Sequence, residues 1–315
     1  MSDFIRKAMR IGAFQHDLHD RAFDAPAVLD QYGFNVEQLC HLLQDDKVTE
    51  IYSHRKHHEK LWRYIEECKK RNIKVIVYFN AHCVEKEQIR QNPDWAQLLP
   101  DGSPSLAYGD LIFTCVNSPW KNFFINSVKE CLEQDVEGIF LDGPIFSDSG
   151  CACKACKELF LKDYGHEITE GTFSECVEFR TKSIRNFVRD VRLAMNEVKP
   201  EVILYCNNVG LTQNITGCDI DALFPYVDII ATEGGFMYYY DPNRTSLWKC
   251  SQSANYLESK SRGVKPYVIF VAGNTCSWSC SMHTASETKL LFAASVAHGA
   301  NVWYGIHGPL DMLNT

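Results

Sequence analysis

The sequence predicts an α/β fold in which eight strand–helix units close into a (β/α)8 TIM barrel. Three observations carry this. Eight short apolar runs recur along the chain, amphipathic stretches lie between them, and 315 residues leave room for long loops beyond the roughly 250 typical of such a barrel. Near-continuous apolar strands alternating with helices are the pattern of a parallel sheet covered on both faces.

The runs read RIGAFQHD near 10–17, VTEIYSH near 48–54, IKVIVYFNAH at 73–82 and VEGIFLDG at 136–143. They continue with EVILYCNN at 201–208, YVDIIATEGG at 226–235, KPYVIFVAG at 265–273 and ANVWYGIHG at 300–308. Helical patterns lie between, among them HEKLWRYIEECKKRN, WKNFFINSVKECLEQ, SIRNFVRDVRLAMNEV and SETKLLFAASVAHG. The extra length sits at 83–118, 143–170 and 236–262, giving long βα loops after strands three, four and six. No linker, repeat or low-complexity tract divides the series, so residues 1–315 are expected to form one catalytic domain. An open doubly wound sheet would usually bring a Gly-rich phosphate turn after an early strand, and GAFQHD is not one.

A formal charge of −8 with no long basic block argues against nucleic acid as a partner. No apolar stretch approaches the roughly 18 residues of a membrane span, and the N-terminus lacks a signal-peptide core. A cytoplasmic protein is expected, and self-association into a homo-oligomer is compatible with this reading. Most of the 14 cysteines sit singly within helical or strand patterns, where a free thiol acts as a small hydrophobe.

The predicted strands end in polar residues: His16 and Asp17, His54, Asn80 and His82, Asp142, Asn207 and Asn208, Glu233, and His307. Barrel active sites lie at this end. Asp142 follows GIFL and Glu233 follows DIIAT, so each is partly desolvated and needs a partner or a task. Two carboxyls at one rim point to cleavage of a glycosidic bond, one as nucleophile or base and the other as proton donor. A carbohydrate substrate would find hydrogen-bonding groups in His16, His54, Asn80, His82, Asn207, Asn208 and His307, and an aromatic face in Trp303. A metal-dependent hydrolase would want a His-x-His pair on the first strand, and QHDLHD spaces its histidines by three.

Cys151, Cys153 and Cys156 form C-x-C-x-x-C, which can grip one Zn2+ if a fourth ligand arrives. Cys115, in FTCVNSPW after strand three, is the best fourth ligand. A fully thiolate-ligated zinc has no open position, so its role would be structural rather than catalytic.

CVNSPW followed by a strand-end carboxylate and then CACKAC is similar to glycoside hydrolase family 42. In those barrel β-galactosidases a cysteine of a C-x-x-S-P segment joins a C-x-C-x-x-C loop around zinc, which implies Cys115, Cys151, Cys153 and Cys156 as ligands here. The order VIVYFNAH, NPDWAQLLPDGSP, CVNSPW, GIFLDGP, CACKAC and later TEGG resembles still more closely the glycosyl hydrolases grouped with α-L-fucosidases. Family 42 places an Asn-Glu pair on strand four and a Glu nucleophile on strand seven. Here strand four ends in Leu141-Asp142, and VIFVAGNT carries no carboxylate. A strand-four Asp nucleophile resembles the fucosidase-like and α-galactosidase-like barrels, and in the latter the acid/base follows strand six. The resemblance implies a retaining enzyme for an α-linked sugar, such as an α-L-fucoside or an α-galactoside-like substrate. Asp142 would be its nucleophile and Glu233 its acid/base, with Asp110, Asp148 or Asp241 as substitutes for the latter. The alternative is a TIM barrel that binds carbohydrate without cleaving it, or that needs a partner to act.

Overall fold

The computed structural model describes residues 10–14, 24–39, 55–208, 213–234, 248–273 and 283–306. Eight strands form one parallel sheet: β1 Arg10–Phe14, β2 Val36–Leu39, β3 Lys74–Asn80, β4 Gly138–Asp142, β5 Ile203–Cys206, β6 Ile230–Glu233, β7 Tyr267–Ala272 and β8 Asn301–Ile306. Their order is β5-β4-β3-β2-β1-β8-β7-β6. A parallel bridge between Tyr205 and Ile229 joins the two outer strands and closes the ring. The fold is the TIM barrel that the sequence predicts.

The helices α1 Ala25–Gln31, α2 Arg55–Lys69, α3 Trp120–Cys131, α4 Lys154–Tyr164, α5 Phe173–Val198, α6 Lys249–Ser261 and α7 Ala285–Val296 follow in chain order. Their apolar residues recur at helical spacing. In α3, Trp120, Phe124, Val128 and Cys131 fall on one buried face. The long α5 starts on a capping box, Thr172 accepting from the Glu175 amide while Glu175 reaches back to the Thr172 amide. Because strand side chains alternate, each strand feeds two cores. Ile11, Val36, Ile76, Phe140, Tyr205, Phe270 and Trp303 fill the barrel interior. Residues such as Val75, Val77, Ile139, Leu141 and Ile269 pack outward with the helices.

One strand departs from expectation. The second barrel strand is Val36–Leu39, hydrogen-bonded between β1 and β3, rather than the run at 48–54, which lies outside the described residues. VEQL hides its strand character because both polar residues are buried. Gln38 faces inward, where its Oε1 accepts from the Tyr205 hydroxyl across the barrel. The expected loop at 83–118 contains its own antiparallel sheet of Cys83–Glu85, Leu106–Ala107 and Leu111–Phe113. Cys68, Cys131, Cys206 and Cys250 are buried free thiols, and burial pushes Cys131 up to about 12. Among the described residues no helix is long and apolar enough to cross a membrane.

Candidate active site

β4 runs Gly-Ile-Phe-Leu-Asp and delivers Asp142 to the C-terminal rim. In β3 the side chains of Ile76 and Tyr78 face the interior, and Tyr78 packs on Phe140 with ring centroids 5.7 Å apart. That places the Tyr78 hydroxyl to donate to Asp142 Oδ2 at 2.6 Å, a short charge-assisted bond. The other oxygen, Oδ1, accepts from Asn207 Nδ2 at 3.1 Å. The same Nδ2 donates to Glu233 Oε1 at 3.2 Å. One amide nitrogen from the end of β5 therefore holds carboxyls from β4 and β6 within its own span. Among the described residues no partner meets Asn207 Oδ1, which is shielded from solvent.

Glu233 ends β6, and the Ser253 hydroxyl of α6 donates to its carbonyl at 3.0 Å. Burial pushes its carboxyl above the usual carboxylate range. The Asn207 bond works against this and the charge of Asp142 adds to it.

Other expected site residues have different surroundings. Asn80 lies in register with Asp142, but its Oδ1 accepts from the amides of His82 and Cys83, each at 3.1 Å, shaping the turn out of β3. Asn208 is buried, and its Nδ2 donates to the carbonyls of Cys206 and Ala231. Its own carbonyl accepts from the Thr232 hydroxyl, so Asn208 stitches β5 to β6. His82 is buried with Nδ1 on the Asp142 carbonyl at 2.9 Å and Nε2 on the Tyr108 hydroxyl at 3.2 Å. Trp303 lies in the barrel interior, edge-on to Phe270 at 5.3 Å. Asp110 is exposed and paired with Lys86, and Asp148 is exposed. His16, His54, His307 and Asp241 lie outside the described residues. Tyr78 and Tyr108 were not expected at the site. Tyr78 sits inside a strand pattern that reads as core, and Tyr108 lies in a loop whose course the sequence does not reveal.

Beside this pair lies a second constellation. Cys115, Cys151, Cys153 and Cys156 are all buried, and their sulfurs lie within 4.8 Å of one another. Cys115 Sγ is 3.4 Å from Cys156 Sγ and 3.6 Å from Cys153 Sγ. Four tetrahedral Zn–S bonds of about 2.3 Å would put sulfurs about 3.8 Å apart, so the set fits a metal of that size. Contacts with Cys115, Cys151 and Cys156 hold the Cys153 thiol far below the usual range, while neighbouring thiols and burial raise those of Cys115 and Cys156. Gln97 clasps the loops that bring the cysteines together. Its Nε2 donates to the carbonyls of Thr114 and Ile145, and its Oε1 accepts from the Ser147 amide. The Ala152 amide adds a bond to the Leu98 carbonyl at 2.7 Å.

Residues 45–143 match the model of a family described as hypothetical glycosyl hydrolase 6, a stretch that holds Cys115 and ends just past Asp142. A β-galactosidase from Bacillus circulans sp. alkalophilus superposes with a TM-score of 0.74 at 14% identity, over 96% of this chain and 50% of that one. The chain is a glycoside-hydrolase-like TIM barrel. A catalytic mutant of a family 42 β-galactosidase from G. stearothermophilus gives 0.71 at 13% identity, over 94% of this chain and 50% of that one. A family 36 α-galactosidase from Geobacillus stearothermophilus, in complex with raffinose, gives 0.57 at 11% identity, over 95% and 39%. The chain thus spans about half the length of these β-galactosidases or less of the α-galactosidase. Among curated proteins none matches.

Proposed function

We propose that this barrel is a catalytic domain that hydrolyses glycosidic bonds with retention of configuration. The observation that carries the reading is the Asn207 amide held between Asp142 and Glu233. Two carboxyl oxygens bonded to one nitrogen support the short separation of retaining enzymes, about 5–5.5 Å, over the roughly 6.5–9.5 Å that inverting enzymes leave for a water.

In this mechanism Asp142 attacks the anomeric carbon as the bond to the leaving oxygen breaks, and Glu233 gives that oxygen its proton. Glu233 then takes a proton from water, which attacks the same carbon and releases Asp142. The upward shift of Glu233 supports its role as donor, because an acid must hold its proton until the substrate arrives. Tyr78 and Asn207 keep Asp142 aimed from its two oxygens.

The substrate we favour is an α-linked sugar of the α-L-fucoside or α-galactoside kind. The support is the placement of the carboxyls on β4 and β6, while β7, Tyr-Val-Ile-Phe-Val-Ala, carries none. We also propose that Cys115, Cys151, Cys153 and Cys156 hold a structural Zn2+. When bound it would fix the loop after β4 beside the pocket, and no step of the reaction passes through it.

The test is hydrolysis of a panel of aryl α- and β-glycosides, with labelling by mechanism-based covalent inhibitors. Activity on one α-glycoside, lost by several orders of magnitude in Asp142→Asn, and a label on Asp142 are expected. A β-glycoside as the sole substrate would overturn the linkage. Folded wild-type protein that binds sugar but turns over nothing would replace the enzyme with a carbohydrate-binding barrel.

A further inference from the structure

We propose that Tyr108 forms a wall of the subsite for the sugar ring that reacts, with His82 as the strut that positions it; this rests on the roles of Asp142 and Glu233 given above. Tyr108 has φ 49° in the turn between Leu106–Ala107 and Leu111–Phe113. Turn positions of this kind normally take Gly, Asn or Asp, and a bulky residue held there is strained. Strain of this sort persists where the surroundings over-determine it, and it gathers at functional sites. Here the surroundings are His82, whose Nε2 meets the Tyr108 hydroxyl at 3.2 Å and whose ring meets the Tyr108 ring edge-on at 5.6 Å.

His82 is itself fixed to the reaction centre. A carbonyl only accepts, so the 2.9 Å contact of Nδ1 with the Asp142 carbonyl requires a proton on Nδ1. Gly143, next to the proposed nucleophile, has φ 50°, and a Cβ there would lie 3.1 Å from His82 Nδ1. The imidazole thus lies directly on the backbone that leaves Asp142. With its hydroxyl tied down, Tyr108 remains 43% exposed. A rigid aromatic ring at a barrel mouth suits the C–H face of a sugar.

Rim order decides which sugar. Tyr108 and His82 stand on the β3 side of Asp142, and Glu233 stands on the other side, beyond β5. The leaving oxygen must lie by its proton donor. Tyr108 therefore faces the ring that becomes bonded to Asp142, not the leaving group.

The experiment uses two variants, Tyr108→Asn, which keeps a residue at ease in the left-handed turn, and Tyr108→Phe, which keeps the ring. Free monosaccharides (fucose, galactose, glucose, arabinose and rhamnose) are titrated into each protein by calorimetry. KM is also measured on the glycosyl fluoride and the aryl glycoside of the preferred sugar. Tyr108→Asn should weaken monosaccharide binding at least tenfold and raise KM equally on both substrates, with Tm unchanged within a degree or two. Tyr108→Phe should stay within about threefold of wild type. Unchanged binding in Tyr108→Asn, or a KM effect on the aryl glycoside alone, would overturn the assignment. So would equal losses in both variants accompanied by a fallen Tm. A wild type that binds monosaccharide but hydrolyses neither substrate refutes the glycosidase reading instead, and the titration still decides this one.

Discussion

Gln97 gives each of its side-chain polar atoms a backbone partner, and the four sulfurs beside it close on one another in a buried cluster. A short distance along the same rim, one amide nitrogen serves two carboxyls and its oxygen has no partner among the described residues. The first corner is a closed frame whose clasp matches each donor and acceptor to the backbone. The second buries the Glu233 carboxyl close to that of Asp142, so that ionising both there costs stability and a proton on Glu233 relieves the cost. A rigid frame beside an unsatisfied pocket is the arrangement expected of a catalytic barrel, and the contrast can be broken experimentally from either side.

Replacing Glu233 should have the largest effect. Glu233→Gln is expected to lose 10²- to 10⁴-fold in kcat/KM on substrates with poor leaving groups, the usual contribution of a positioned acid. It should lose far less on activated ones, as steady-state kinetics across a leaving-group series would show. The same variant should be more stable than wild type at neutral pH. The native state binds the Glu233 proton more tightly than the unfolded chain does, because its carboxyl is raised. Its favourable contribution is therefore complete below the ordinary carboxylate pKa and is lost as pH rises through the raised one. Thermal melts from pH 4 to 8 should show the two proteins converging in acid and separating toward neutrality.

The cysteine corner should respond with the opposite sign. Stripping metal with a strong chelator, or making Cys151→Ser, is expected to lower Tm by roughly 10 °C, given the folding energy that structural zinc sites carry. Metal content and melting of the same sample check this; a chelated protein that melts unchanged would leave the cluster without a metal role. Smallest of the three, Tyr78→Phe removes a hydrogen bond to a carboxylate. It should reduce kcat/KM by about tenfold, with little change in Tm.

Seven of the strands were legible because an interior parallel strand is buried on both faces and reads as an unbroken apolar run; the observed Lys74–Asn80 and Gly138–Asp142 fall inside the runs at 73–82 and 136–143. β2 was not, because Glu37 and Gln38 occupy two of its four positions and the fold buries both. The strands of the inserted sheet are two or three residues long, too short for any period to show. The carboxyls and cysteines were legible as types at strand ends and fixed spacings. The partners that set their geometry were not. Asn80, Asn207 and Asn208 look alike in sequence, yet one shapes a turn, one joins two carboxyls and one stitches two strands. Only the direction of each side chain separates them.

The ring is not equally strong all round. Seven of its seams are continuous parallel ladders, while the eighth, between β5 and β6, is a single bridge at Tyr205 and Ile229, backed by Asp228 on the Leu204 backbone and by Asn208. A hoop loaded from within gives way at its weakest joint, and here that joint separates the strands that end at Asn207 and Glu233. Thermal breathing of the barrel would carry Glu233 away from Asn207 and Asp142 while the other seams stay shut. Amides flanking the β5–β6 seam should therefore exchange with solvent before those of the other barrel strands. Binding that bridges the two carboxyls should slow them most.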